Sequence, residues 1–194
     1  MPAYDDRTAL LVVDVQNDFA EPAGSLTVSG GLDVVPVINS EILAARAAGA
    51  LVVYTQDWHP ASTPHFAKDG GVWPVHCVAE TWGARFATGL NVDGPVVRKG
   101  TDGQDGYSGF SLRDPESGNE SATELDDLLR DAGVERVVIA GLATDYCVKA
   151  TALDAVRLGF AAVVVRAGIR AVDVNADDGD RAIADMVAAG VQVS

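Results

Sequence analysis

The sequence is short of cations: 14 lysines and arginines stand against 28 aspartates and glutamates in 194 residues, for a formal charge of -14. No stretch forms the basic stripe that a nucleic-acid partner requires, and an anionic membrane surface repels such a chain. Long apolar runs are missing too. The longest near the N-terminus, residues 9–13, is far too short to span a bilayer and stops at Asp14. The first six residues carry acids where a secretory leader carries positive charge, so a cytoplasmic setting is expected. Cysteine is scarce. Cys77 and Cys147 cannot build a disulfide framework and fit a reducing compartment, with one bridge between them left open. Internal repeats and low-complexity segments are absent, and no stretch reads as an interface.

What is present is apolar enough, at 48% of residues, for one domain over residues 1–194 with a sizeable core. Buried strands are read at residues 10–15, 50–56, 95–99, 137–140 and 161–165, with a short sixth at 191–193. Helices are read between them. Residues 31–49 carry a stripe of Val34, Val35, Ile38, Ile42, Leu43 and Ala45 with Gly49 as stop. Residues 121–132 open on Ser121 with Glu124 as capping box and close at Gly133. Two more helices run to Gly159 and over residues 178–189. The pattern fails over residues 60–94, apart from an expected short helix near 79–86, and again over 100–119. The alternation predicts an α/β fold: a doubly wound, mostly parallel six-stranded sheet with helices on both faces.

Such sheets gather ligands beyond the carboxyl ends of their strands, and Asp14, Asp57, Lys99 and Cys147 all fall at such ends. Cys147 is expected in the first turn of a helix, where free N–H groups and the helix dipole favour a thiolate. The bland alternative is a small buried hydrophobe. Lys99 read alone is a solvated loop cation, and Asp14 a helix-capping carboxylate. Together they form a working cycle: the carboxylate takes the thiol proton, the ammonium stabilises the thiolate, and the acid formed protonates a leaving amine.

That cycle needs no histidine. His59, His65 and His76 crowd in and beside the irregular stretch 60–94, and Asp57 and His59, two apart, share one side of an extended chain. One carboxylate with two or three imidazoles suits a divalent metal such as Zn, Fe or Mn. Phe19, Trp73 and Tyr107, on loops after three different strands, can form a flat pocket for a ring or merely cover the core.

The residues Asp14-Val15-Gln16-Asn17-Asp18-Phe19, Asp57-Trp58-His59-Pro60, Trp73-Pro74-Val75-His76-Cys77, Arg98-Lys99-Gly100, Tyr107-Ser108-Gly109-Phe110 and Gly141 to Val148 stand in one order along the chain. In that combination the sequence resembles the nicotinamidase/pyrazinamidase branch of the isochorismatase-like hydrolase superfamily. The resemblance implies a metal-dependent cysteine amidase that hydrolyses nicotinamide, and pyrazinamide-like amides, through a thioester on Cys147. It implies catalytic roles for Asp14 and Lys99, and an oxyanion hole from the N–H groups of Ala143 and Cys147 beside a cis peptide at Leu142–Ala143. It further implies a metal on Asp57, His59, His76 and His65, and an aromatic carboxamide held by Phe19, Trp73, Tyr107 and Tyr146. Cys77 reads as structural and a homo-oligomer as compatible. Other readings are a different small-amide or carbamoyl hydrolase of the superfamily, or a non-catalytic metal-binding protein.

Overall fold

The computed structural model describes residues 4–194; residues 1–3, the start of the N-terminal segment compared above with a secretory leader, lie outside the described residues. In chain order the strands are β1 (Thr8–Val13), β2 (Leu51–Asp57), β3 (Val96–Lys99), the short pair β4 (Ser111–Arg113) and β5 (Glu120–Ala122), β6 (Arg136–Leu142), β7 (Ala161–Arg170) and β8 (Gln192–Val193). The helices are α1 (Asn17–Ala20), α2 (Val34–Ala47), α3 (Leu125–Asp131), α4 (Lys149–Arg157) and α5 (Asp178–Ala188). Among the described residues, no helix is long and apolar enough to cross a membrane.

Six strands form one sheet in the order β3-β2-β1-β6-β7-β8, and every pairing in it is parallel. β1 is buried throughout, with Leu11 opposite Val53 on one neighbour and Ile139 on the other. Alternation along β1 divides the core. Leu10 and Val12 pack with Ile38 and Ile42 of α2 on one face. Ala9, Leu11 and Val13 pack with Leu125, Leu129, Ala152 and Met186 of the other helices on the opposite face. The sheet is therefore doubly wound, and the chain reverses its direction of travel across the sheet between β1 and β6.

The four helices that lead into sheet strands stop in the same way. Gly49, Gly133, Gly159 and Gly190 donate to the carbonyl three residues back, and the next residue donates to the carbonyl five back. That double bond satisfies the last carbonyls of the helix and turns the chain directly into β2, β6, β7 and β8.

Four expectations need correction. Leu43 is not in the apolar stripe of α2: it is 64% exposed, because a step of about 100° per residue carries it past Ile42 and off the core face. Ser121 does not cap a helix. It lies in β5 opposite Leu112, since the hairpin β4–β5 satisfies its backbone first, and the hydroxyl of Thr123 accepts the N–H of Leu125 instead. Residues 79–86 form consecutive turns without a helix, because their backbone bonds to distant chain: Gly83 and Arg85 carbonyls accept from Asp18 and Asn17. Last, Cys147 lies in a π-helical turn, Thr144–Val148, that precedes α4.

Candidate active site

β1 and β6 end side by side at the reversal of strand order, with Val13 paired to Gly141. Gly141 has φ +136°, and a Cβ there would lie 2.0 Å from the Val13 carbonyl, so only glycine lets the two strand ends meet. The peptide bond between Leu142 and Ala143 is cis. The chain then enters the π-turn, in which Val148 N–H donates to the Ala143 carbonyl at 3.1 Å. Asp145 fixes this turn from outside by accepting from the N–H groups of Val172 (3.0 Å) and Asp173 (2.9 Å).

Asp14 follows β1 with φ +49° and is fully buried. Its Oδ1 accepts from the Thr55 hydroxyl at 2.5 Å and its Oδ2 from Lys99 Nζ at 2.8 Å. Lys99 and Asp57 are register partners on β3 and β2, so their side chains leave the same face; Nζ lies 2.9 Å from Asp57 Oδ1, an ion pair without hydrogen-bond alignment. The same Nζ lies 4.0 Å from Cys147 Sγ. One buried ammonium therefore serves two carboxylates and a thiol.

Charge at this cluster follows from burial and pairing. Burial works against the Lys99 ammonium, but Asp14 and Asp57 overcome it and hold the proton well above the usual lysine range. Burial likewise acts to raise the Asp57 carboxyl, and Lys99, His59 and His76 outweigh it, leaving Asp57 below the ordinary carboxylate range. For Asp14 burial prevails over Lys99, and its proton affinity is raised. Burial also pushes the Cys147 thiol well up; Lys99 offsets part of this, and Asp14 and Asp57 add to it. The expectation of a thiolate favoured by a helix dipole is thus corrected. A largely buried thiol beside two carboxylates keeps its proton, and the carboxylate of raised proton affinity next to it is the group able to remove it. Cys77, the second free cysteine, is buried, donates its N–H to Asp18 at 2.7 Å and takes no part in the cluster.

His59, His65 and His76 converge, with one ring nitrogen from each lying within 4.8 Å of the others. His59 Nε2 is 3.7 Å from Asp57 Oδ2. Hydrogen bookkeeping fixes the tautomers of the other two rings. The single hydroxyl proton of Thr63 goes to the Gly103 carbonyl (2.9 Å), so Thr63 accepts from His65 Nδ1 (2.9 Å). His65 Nε2 is then a bare lone pair, buried and without a partner. His76 Nδ1 donates to the Pro74 carbonyl at 2.7 Å, which frees its Nε2 in the same way. Burial lowers the proton affinity of both rings, with His65 brought down to about 4, so both are neutral donors near pH 7. Neutral imidazoles with free lone pairs beside a carboxylate fit a divalent metal. Gly100 makes room for the group: at φ +75°, a Cβ there would lie 2.3 Å from His59 Nδ1.

A cavity of about 540 Å³, counting its open mouth, lies over Cys147 and the imidazoles. All four aromatic residues singled out in the sequence, Phe19, Trp73, Tyr107 and Tyr146, line it, as does Ala143. Trp73, Tyr107 and Tyr146 meet edge to face with centroids 5.2–6.5 Å apart, and Trp73 Nε1 donates to Tyr107 Oη at 3.1 Å. Asp14 and Lys99 stand behind this wall and do not line it.

Sequence reasoning missed several contributors: Thr55 and Thr63, whose hydroxyls orient Asp14 and His65; Gln16, which binds the Asp57 main chain; and Asp105, Val28 and Val172 in the cavity wall. Thr55 and Asp57 were detectable as polar side chains at alternate positions of a strand buried on both faces, where each polar group requires a partner. No comparable signal marks Val28 or Val172.

Residues 8–194 match the family model described as Isochorismatase domain. The chain is 38% identical over 200 residues to a nicotinamidase of Escherichia coli, covering 94% of this chain and 92% of the relative. It is 43% identical over 162 residues to a nicotinamidase/pyrazinamidase of Mycobacterium tuberculosis, covering 81% and 83%. Among solved structures it is similar to a pyrazinamidase of Pyrococcus horikoshii in complex with zinc, with a TM-score of 0.87, 39% identity, and coverage of 97% of this chain and 98% of that one.

Proposed function

The chain belongs to the isochorismatase domain family, within its nicotinamidase/pyrazinamidase branch, and on that premise we propose that it is a metal-dependent cysteine amidase converting nicotinamide, and related ring carboxamides, to the acid and ammonia. The observation that carries this reading is Lys99 Nζ held between Asp14 at 2.8 Å and Cys147 at 4.0 Å beneath an aromatic-walled cavity.

The ring enters between Phe19, Trp73 and Tyr107, which places its carboxamide over Cys147. Asp14 takes the thiol proton as Sγ attacks the amide carbon, so the thiolate forms only when it is consumed. The developing oxyanion is received by the N–H groups of Ala143 and Cys147. Asp14, now an acid, gives its proton to the amide nitrogen; the C–N bond breaks, ammonia leaves, and a thioester joins the acyl group to Cys147. Water then attacks the thioester carbon with Asp14 again accepting a proton, the C–S bond breaks, and Sγ recovers its proton from Asp14 as the carboxylic acid departs. Lys99 holds Asp14 in place throughout and supports its charged form. Asp57, His59, His65 and His76 would hold a divalent ion, which supplies a Lewis-acid contact that orients the ring. The test is ammonia release from nicotinamide by the zinc-loaded protein, by its Cys147→Ala variant, and after chelation. Lack of turnover in a folded, zinc-loaded sample sinks the reading.

A further inference from the structure

The cavity lets in an uncharged amide and must let out an anion, and its charge inventory bears on that exchange. No lysine or arginine lines its wall. Lys99, the cation behind it, is already shared by Asp14 and Asp57. Four carboxylates act on the space: Asp14 behind the wall, Asp18 whose field reaches His76, Asp57 among the imidazoles, and Asp105 on the loop between β3 and β4. Carboxylates outnumber the one ammonium here, and a divalent ion on the histidines would offset two of their charges. Removing the Asp105 carboxylate makes the loaded cavity more positive by one charge.

Asp105 serves neither of the groups already described. Its main chain is pinned to Arg113 in both directions, at 2.7 and 2.5 Å, which makes its position a property of the hairpin. Its Oδ1 accepts only the N–H of the following Gly106, at 2.8 Å. Among the described residues it has no ion-pair partner. Its field reaches His65, whose proton affinity it raises, and the Tyr107 phenol at the cavity mouth. Asp105 is thus a half-buried carboxylate held in the cavity wall without a cation beside it.

We propose that Asp105 is a specificity-determining residue: its charge in the wall of the metal-loaded cavity opposes a second anion, so that the site favours uncharged aromatic amides over amides bearing a carboxylate and releases its own anionic product. This rests on the amidase reading above and deepens it. An anion entering the cavity meets Asp105 as a like charge, whereas a neutral amide of the same shape does not.

The experiment compares Asp105→Asn with Asp102→Asn, both in a Cys147→Ala background that prevents turnover. Asp102 is exposed on the same loop and does not line the cavity, so its variant removes the same charge from the protein without removing it from the site. Two quantities are read by calorimetry: zinc affinity without ligand, and the ratio of nicotinate to nicotinamide affinity in the zinc-loaded protein. Asp105→Asn is expected to weaken zinc several-fold and to shift the ratio about tenfold toward the anion, with Asp102→Asn moving neither by more than about twofold. The benzoate/benzamide pair should shift in the same direction, because the argument concerns charge and not the ring nitrogen. An unchanged ratio, or an equal change in Asp102→Asn, overturns the assignment. If the parent protein fails to turn over nicotinamide while Asp105→Asn still moves zinc affinity and the benzoate/benzamide ratio, the amidase reading has failed and the role of Asp105 stands.

Discussion

The side chain of Gln16 grips the main chain of Asp57 from both sides. Its Oε1 accepts the Asp57 N–H at 2.8 Å, and its Nε2 donates to the Asp57 carbonyl at 2.8 Å and to the Ala84 carbonyl at 2.9 Å. A strand end that would fray is thereby held at the height where Asp57 meets Lys99 and His59. Replacing Gln16 with leucine keeps the bulk and leaves the buried N–H and carbonyl of Asp57 without this partner, each at a cost of about 1–3 kcal/mol, while the Ala84 carbonyl keeps its bond from Gln56 Nε2 at 2.9 Å. Gln16→Leu is expected to lower the urea midpoint and to weaken zinc binding in titrations of the folded protein. Unchanged zinc affinity would mean that Asp57 holds its place without help.

Cys147 can be tested without disturbing its surroundings. Cys147→Ala removes one buried sulfur and should cost little stability, while turnover falls by about 10⁴-fold or more, as loss of a sole nucleophile does. Rapid acid quench of the parent enzyme during turnover should show by mass spectrometry an acyl group on the peptide containing Cys147 and none on the one containing Cys77. Label on Cys77 would reverse the assignment.

Lys99→Met removes the ammonium shared by Asp14 and Asp57 while filling its volume. Two buried carboxylates are then left facing each other, and breaking a buried pair in this way costs about 3–5 kcal/mol. The variant should unfold at markedly lower denaturant and should be less stable the higher the pH above the carboxylate range, because its buried acids are best tolerated protonated. A stability equal to that of the parent at pH 7 would show that water reaches the cluster.

The imidazoles set a pH dependence in the metal-free protein. The folded-state proton affinity of His65 is lowered from 6.5 to about 4, and that of His76 is lowered in the same direction. Between those values the unfolded chain binds a proton that the folded chain refuses, so stability is full above pH 6.5 and declines as pH falls toward 4. Urea midpoints of chelated protein should therefore drop over that window, and His65→Gln should flatten the decline. Zinc affinity should fall with it, since protons compete for the same lone pairs.

Two glycines with the same backbone separate strain from crowding. Gly49 and Gly100 have φ +76° and +75°, but a Cβ on Gly49 meets nothing within 4 Å, whereas on Gly100 it lies 2.3 Å from His59 Nδ1. Gly49→Ala should cost about 1 kcal/mol and leave metal binding alone. Gly100→Ala should carry the same backbone cost and also weaken zinc by at least tenfold, since the ring of His59 must move. Equal zinc affinities in the two variants would place the metal elsewhere.

The parts of the fold that were legible in the sequence are those set by local chemistry. Gly49, Gly133, Gly159 and Gly190 were readable as helix stops because each is followed by a residue that enters a strand, and all four close their helices in the structure. The apolar runs around Leu11, Val53, Ile139 and Val164 were readable as buried strands for the same reason. The hairpin β4–β5 was not, since Ser111–Arg113 and Glu120–Ala122 are short and polar, and only their mutual pairing makes them strands. At the site, Asp14, Lys99 and Cys147 stood out as reactive groups at strand ends. Of the supports, Thr55 was signalled only as a polar group on a buried strand and Gln16 and Thr63 not at all, because a polar side chain acquires its meaning from a partner 40 or more residues away: Thr55 from Asp14, Gln16 from Asp57, Thr63 from Gly103.

Asp14 and Lys99 stand at strand ends and Cys147 on the turn after β6, whereas most of the cavity wall comes from Phe19 on α1 and from Trp73, Asp105, Tyr107 and Val172 on connecting segments. On the proposed reading, proton handling and most of the molecular selection are thus built on separate parts of the chain, one set by the sheet and one free to vary in length and composition. A scaffold divided in this way is an engineering chassis: exchanging a connection between strands re-aims the enzyme at a different amide, while the machinery that breaks the bond is inherited untouched.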